Sequence, residues 1–238
     1  MSYLGIDVGT SRTKAVAYDA SFRPLAESST VYARTCPQRG WYEIDAAGLS
    51  QAIRRVVGEC SAQCGRDPIR WLACSVFGGG VSALDAQRRP LVNVISTTDQ
   101  RAQPQADDWC RRFGRERTYH LTGTTTHPSL MLPKILWLDA HLDQAAQIDQ
   151  YVTTAELVQA ALGVRPQMDL ATASTTMLLD ICQRRWSEEI LAAAQIPGHR
   201  LPALVEPGTV IDTLPAEACD ELGLARGCAP VAGGHAQQ

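Results

Sequence analysis

The segment Gly5-Ile6-Asp7-Val8-Gly9-Thr10-Ser11-Arg12-Thr13-Lys14 sets a carboxylate at the end of an apolar run, directly before a turn of Gly, Thr and Ser. Phosphoryl transfer leaves little covalent chemistry to the protein; it asks for a phosphate cradle, a metal ion and positioning. This stretch offers the first two. Gly9 lets the backbone approach a phosphate, Thr10 and Ser11 supply hydroxyl and amide donors, and Asp7 can hold Mg²⁺ directly or through its waters. Lys14 either adds charge beside the turn or supports the fold. An ordinary Asp-x-Gly hairpin has the same turn chemistry, so these residues alone leave both readings open. The eight cysteines offer less. Cys60 and Cys64 stand four apart on a predicted helix, but no second Cys or His pair lies at metal-finger spacing, and buried free thiols are the expectation.

The elements that would hold this turn are legible in the apolar pattern. Tyr3 to Asp7, Thr13 to Asp19 and Leu25 to Val31 read as three strands, the first two joined by the tight Gly9 to Arg12 turn. Asp45 is placed to cap a helix running to about Gln63, with Leu49, Ile53, Val56, Val57 and Cys60 at the helical period. Trp71 to Phe77 predicts a further strand, broken by Gly78-Gly79-Gly80 and expected to form a hairpin with Val81 to Asp85. Leu91 to Ile95 is another strand, and Asp99 is read as the cap of a helix running towards Phe113. Beyond Tyr119 the pattern is helical, with helices at Leu132 to Ala140, Thr154 to Leu162, near Ala171, Ser187 to Ala194 and Ala216 to Leu222. That half carries little strand signal until Val231 enters a Gly233-Gly234 turn.

Composition narrows the function classes. The 238 residues are 45% hydrophobic and 20% charged, ordinary for a globular chain that can bury a core, and the formal charge of −3 gives no field for nucleic acid or an anionic membrane. Small-molecule partners fit better. Met1, Ser2 and Tyr3 run straight into an apolar strand with no basic n-region, which predicts a cytoplasmic protein, and no apolar run nears the roughly 20 residues of a membrane span. Only Lys14 and Lys134 are lysines, against twenty arginines.

A set of landmarks in order along the chain resembles the FGGY carbohydrate kinases. They are Asp7 to Lys14, Gly40-Trp41-Tyr42-Glu43-Ile44-Asp45, Thr98-Asp99-Gln100-Arg101, Pro133-Lys134-Ile135-Leu136-Trp137-Leu138, Ala173-Ser174, Leu179-Asp180 with Trp186-Ser187-Glu188-Glu189, Leu222-Gly223-Leu224, and Val231-Ala232-Gly233-Gly234-His235. The resemblance implies an α/β fold of the actin-like, ribonuclease H-like kind, a mixed sheet flanked by helices with helical insertions. It also implies ATP-dependent, Mg²⁺-assisted phosphorylation of a sugar, polyol or sugar acid. Residues 1–238 then read as the first lobe of a two-lobe kinase, whose C-terminal nucleotide-binding lobe is the missing partner; a homodimer through the uncovered surface is a further expectation. An actin-like ATPase unrelated to sugars shares the turn but not the later landmarks.

Carried over position by position, the resemblance gives Asp7 the metal and phosphate role and Gly9, Thr10, Ser11 and Lys14 the nucleotide phosphates. Asp99 and Arg101 lie beside the sugar, with a plain helix cap as the equal alternative for Asp99. Trp41, Glu43, Lys134 and Trp137 read as structural. Two departures stand out. Where the family places a polar substrate-contacting side chain, this chain has Gly78-Gly79-Gly80. Where it places an Asp as general base, this chain has Ala236, and no carboxylate lies between Val231 and Gln238. His235 is the only nearby substitute and is expected to line the substrate, but as a neighbour on an extended chain it points the opposite way. The alternative function is therefore a non-catalytic carbohydrate- or protein-binding remnant.

Overall fold

The structure, a computed structural model, describes residues 2–65, 67–234 and 236. The chain begins with a meander, β1 (Ser2–Val8), β2 (Arg12–Tyr18) and β3 (Pro24–Val31), followed by the two-residue strands β4 (Arg34–Thr35) and β5 (Glu43–Ile44). Helix α1 (Ala46–Gln63) starts where the sequence predicts: Asp45 Oδ1 accepts from the Gly48 amide at 3.0 Å, and Leu49, Ile53, Val56, Val57 and Cys60 are all buried. Each such side chain contributes about 1.5–3 kcal/mol by leaving water, so the stripe anchors the helix to the sheet.

Strands β6 (Ile69–Val76), β7 (Val81–Leu84) and β8 (Val94–Ile95) come next, then helices α2 (Gln103–Arg112), α3 (Arg115–Thr122) and α4 (Met131–His141). The remainder alternates short pieces: β9 (Gln150–Thr153), α5 (Thr154–Ala161), β10 (Gln167–Asp169), α6 (Leu170–Ser174), β11 (Leu179–Asp180), β12 (Arg185–Trp186), α7 (Glu188–Ala194), β13 (Ala203–Val205), α8 (Ala216–Leu222) and β14 (Ala229–Val231).

Two five-stranded sheets organise these elements. The first has the order β14-β6-β1-β2-β3, with β14, β6 and β1 parallel and β2 and β3 antiparallel. The second, β4-β5-β8-β7-β9, is antiparallel throughout. Period-two alternation gives the first sheet one buried face, with Leu4, Ile6, Val8, Ala15, Ala17 and Leu72 in a core shared with α1, α5 and α8. The other face carries Tyr3, Gly5, Asp7, Lys14, Val16, Tyr18 and Ala73, exposed or half-buried. A second core joins the second sheet to α2, α4, α6 and α7 around Trp109, Leu132, Ile135 and Tyr151.

The structure corrects four expectations. Val81 to Leu84 does not pair with β6; the three glycines carry the chain from the first sheet into the second, where β7 lies between β8 and β9. Asp99 caps no helix: α2 begins at Gln103, and its N-cap position, Ala102, offers no side-chain bond. The second half holds six strands of two to four residues, too short to alternate, and β9 is buried at all four positions. Of the eight thiols, all free, only Cys60, Cys219 and Cys228 are fully buried, and Cys36 and Cys182 are exposed.

Candidate active site

Three segments predicted to carry chemistry meet at one edge of the first sheet because its parallel strands end together there. The Phe77 amide donates to the Val8 carbonyl at 2.9 Å, setting the glycine run beside the Asp7 turn. The Ala236 amide donates to the Val76 carbonyl at 2.8 Å, bringing the last described residue to the same edge.

The turn is braced from behind. Its ends are closed by the Gly9 amide donating to the Arg12 carbonyl at 3.0 Å, and the Thr13 hydroxyl donates to the Asp7 carbonyl at 3.0 Å. Tyr32 lies beneath, its phenol donating to the carbonyls of Gly9 and Arg12. Burial pushes the phenol well above its ordinary range, and the Asp7 carboxylate adds to the shift, so Tyr32 is a donor at every relevant pH. Among the described residues the amides of Thr10 and Ser11 have no hydrogen-bond partner; they, and not the Gly9 amide, are the free donors of this turn. A Cβ on Gly9 would lie 3.4 Å from the Arg12 carbonyl, an ordinary contact, and the backbone there is not left-handed, so neither crowding nor conformation within the chain requires glycine at this position.

Asp7 and Lys14 are register partners on the uncovered face of the sheet, where both line a shallow hollow of about 350 Å³. The Asp7 carboxylate is exposed, whereas the Lys14 ammonium is held by Glu27 at 2.9 Å. No group of three or more His, Cys, Asp and Glu stands together among the described residues. The donor this turn offers is the single Asp7 carboxylate, and Mg²⁺ is commonly held by one or two carboxylates with waters and substrate phosphates completing its shell.

Gly78 and Gly79 are held by their carbonyls. Thr97 Oγ1 donates to Gly78, and Lys134 Nζ donates to Gly79 at 2.6 Å, to Ser96 at 2.9 Å and to Ile95 at 3.3 Å. Gly79 has φ +72°, and a Cβ there would stand 2.9 Å from Thr97 Oγ1, so this position requires glycine. Lys134 lies in the first turn of α4 just after Pro133, whose missing amide would be unpaired there in any case. Burial pushes the Lys134 ammonium down to about 7, with the Asp99 charge opposing the shift and Arg101 assisting it.

Asp99 and Arg101 form the centre of a buried cluster. Arg101 donates to both Asp99 oxygens, at 2.9 and 2.8 Å, and pairs with Glu43 at 2.8 Å. Its guanidinium carbon lies 4.0 Å from the centre of the Trp41 ring and 5.0 Å from that of Trp137. Asp99 also accepts from the Tyr42 amide at 2.6 Å. The Asp99 side chain is 0% exposed and that of Arg101 3%, so both are buried and reach the surface only through their partners Tyr42 and Glu43. Trp41, Glu43, Lys134 and Trp137 are the structural partners the sequence suggests. His235 lies outside the described residues.

Sequence reasoning passed over Tyr32, Arg34, Thr97 and Glu156. Only Glu156 had a readable signal, the Thr153-x-x-Glu156 capping box: its Oε2 accepts from the Thr153 amide at 2.8 Å and hydroxyl at 2.7 Å. Burial pushes its carboxyl up to about 7; the Thr153 bonds oppose this and Asp169 assists it.

The sheet order, its flanking helices and the turn after β1 together define an actin-like, ribonuclease H-like lobe. Residues 2–238 match the FGGY family of carbohydrate kinases, N-terminal domain, and the chain belongs to that family. It is 27% identical over 224 residues to the xylulose kinase of Escherichia coli (strain K12), covering 94% of this chain and 46% of that protein. It is 26% identical over 238 residues to the L-fuculokinase of the same strain, covering 99% and 50%. Among solved structures, a xyloylose kinase from Brucella ovis superposes with a TM-score of 0.91 at 26% identity, covering 99% of this chain and 49% of that one. A gluconate kinase from Lactobacillus acidophilus gives a TM-score of 0.90 at 24% identity, covering 98% and 48%, a likeness of fold. The chain spans about half the length of the curated relatives it matches.

Proposed function

We propose that this chain is the acceptor- and phosphate-binding lobe of an ATP-dependent kinase for a sugar, polyol or sugar acid. The observation that carries the reading is the turn after β1: an exposed Asp7 carboxylate beside two unpaired amides, on a rigid hairpin, in a chain of the FGGY family. In the proposed reaction an acceptor hydroxyl attacks the γ-phosphorus of ATP, the bond to the β-phosphate oxygen breaks, and the hydroxyl proton passes to a base. Mg²⁺, when bound, neutralises charge on the phosphate oxygens. Asp7 holds it, the amides of Thr10 and Ser11 bind phosphate oxygens, and the Gly78-Gly79 loop lines the acceptor side. Lys14, on the neighbouring strand, reaches a phosphate only by giving up its pair with Glu27.

The base is the weak point. Ala236 is exposed at the expected position and has no proton acceptor. Positioned acid–base catalysis is worth about 10²–10⁴-fold, so transfer by this sequence is slow even with its partner. The same observation supports the second reading, a non-catalytic lobe that binds a small carbohydrate or another protein. The partner we propose is a second domain carrying the adenine site, of the kind expected in the half of the relatives that this chain does not span. Self-association is the competing use of the open sheet face, which light scattering resolves. No helix among the described residues is long and apolar enough to cross a membrane. All eight cysteines are free, which supports a reducing, cytoplasmic setting.

The test is a phosphoryl-transfer assay over ketoses, polyols and aldonic acids, with a family C-terminal domain supplied in trans, comparing the natural chain with Ala236→Asp. Transfer raised 10²-fold or more by the substitution supports the kinase reading. Sugar binding without transfer in any combination supports the second.

A further inference from the structure

Beside the Thr10 turn, between the first sheet and β4, β5 and β8, lies a cleft of about 390 Å³ that the sequence did not single out. Its donors and acceptors do not balance. The one carboxylate in its wall, Glu43, is already engaged by Arg101 at 2.8 Å and by Asn93 Nδ2 at 3.0 Å. Arg34, on the neighbouring strand β4 and in register with Ile44, also lines it, and its guanidinium has no hydrogen-bond or ion-pair partner among the described residues. Nor do the hydroxyls of Thr10, Thr35 and Tyr42. The back wall is fixed: the Tyr42 amide is held by Asp99 at 2.6 Å and the Tyr42 carbonyl by the Ser96 amide at 2.9 Å.

We propose that this cleft binds a small polyhydroxylated oxyanion, with Arg34 taking the charged group and the hydroxyls of Thr10 and Tyr42 taking the hydroxylated chain. A guanidinium with five donors and no carboxylate to satisfy it suits a carboxylate or a phosphate. Free hydroxyls beside it both give and accept hydrogen bonds and suit a sugar-like chain. The inference rests on the kinase reading and narrows it: the ligand is an acidic sugar derivative, either a sugar acid entering or a sugar phosphate leaving. Each Glu43 oxygen is already engaged, one by Arg101 and the other by Asn93.

The experiment is calorimetric titration of the full chain at low salt with D-gluconate, D-glucose 6-phosphate, neutral D-glucitol, acetate and inorganic phosphate. Occupancy of this cleft is followed by iodoacetamide alkylation of Cys36, an exposed thiol in its lining, read by mass spectrometry. Gluconate, glucose 6-phosphate or both bind at least about tenfold tighter than glucitol and slow alkylation of Cys36. Arg34→Gln removes the preference, and Arg23→Gln, at the far end of the β2–β3 hairpin, keeps it; about tenfold is what one charge-assisted bond supplies. The tighter of the two anions identifies the source. Glucitol binding as tightly, an unaffected Arg34→Gln variant, an unprotected Cys36, or acetate and phosphate matching the hydroxylated anions would each overturn the proposal. If glucitol binds and the anions gain nothing, only this inference falls. If no sugar derivative binds and magnesium tripolyphosphate leaves the Thr10 and Ser11 amides unmoved, the kinase reading falls with it.

Discussion

Asp7 and Asp99 are both carboxylates at or just beyond a strand end, and both belong to motifs that resemble the same family, yet the chain treats them in opposite ways. Asp99 is wholly buried and fully engaged, by the Arg101 guanidinium and by the amides of Tyr42 and Arg101. Asp7 is exposed on an uncovered sheet face, beside a turn with two unpaired amides. One region is a mould whose polar groups satisfy each other; the other is braced from behind and open to solvent in front. A motif therefore marks where polarity is needed, and only burial shows whether the need is internal or external.

The comparison is broken most severely from the buried side. Asp99→Ala leaves Arg101 with Glu43 alone inside the protein and is expected to cost about 3–5 kcal/mol in urea unfolding. Glu156→Gln gives the next largest effect, and it depends on pH. A carboxyl whose folded pKa is raised from its ordinary value to about 7 stabilises the fold below pH 4.5, and that contribution is lost as pH rises towards 7. The variant gains on the natural chain by up to about 3 kcal/mol between pH 5 and 8, measured as the change in unfolding free energy. A gap that stays constant with pH would show that Glu156 is not held neutral. Gly79→Ala, which forces a Cβ against Thr97 at positive φ, costs about 1–3 kcal/mol by thermal unfolding. Lys14→Gln removes a half-exposed pair with Glu27 and costs under 1 kcal/mol, so its melting temperature stays within a few degrees of the natural chain.

Much of the fold was legible because its opening strands and α1 carry long, clean periods. Leu49, Ile53, Val56 and Val57 define α1 without tertiary information, and Asp45 caps it as read. Of the second sheet, β7 and β8 were read as strands but their partners were hidden, because β9 is buried on both faces and β4 and β5 are two residues long. The hairpin expected across Gly78 to Gly80 failed for a related reason: a glycine run marks a break but not which sheet the chain enters next. At the site, the turn residues were readable as turn chemistry, with Thr10 and Ser11 as the donors, but that the Gly9 amide closes the turn was not. Tyr32 and Arg34 could not be found from sequence, since an aromatic and an arginine on an exposed strand end look like ordinary surface.

The central claim is that the open region is a phosphate and metal site while the buried one is scaffold. It is tested most directly by following backbone amide resonances of the ¹⁵N-labelled chain during titration with tripolyphosphate, with and without Mg²⁺. The account predicts saturable, Mg²⁺-dependent shifts centred on Thr10 and Ser11, lost in Asp7→Asn, with the Asp99 and Arg101 amides unmoved. Shifts centred on Asp99 and Arg101, or none at Thr10 and Ser11 at saturating ligand, would contradict it.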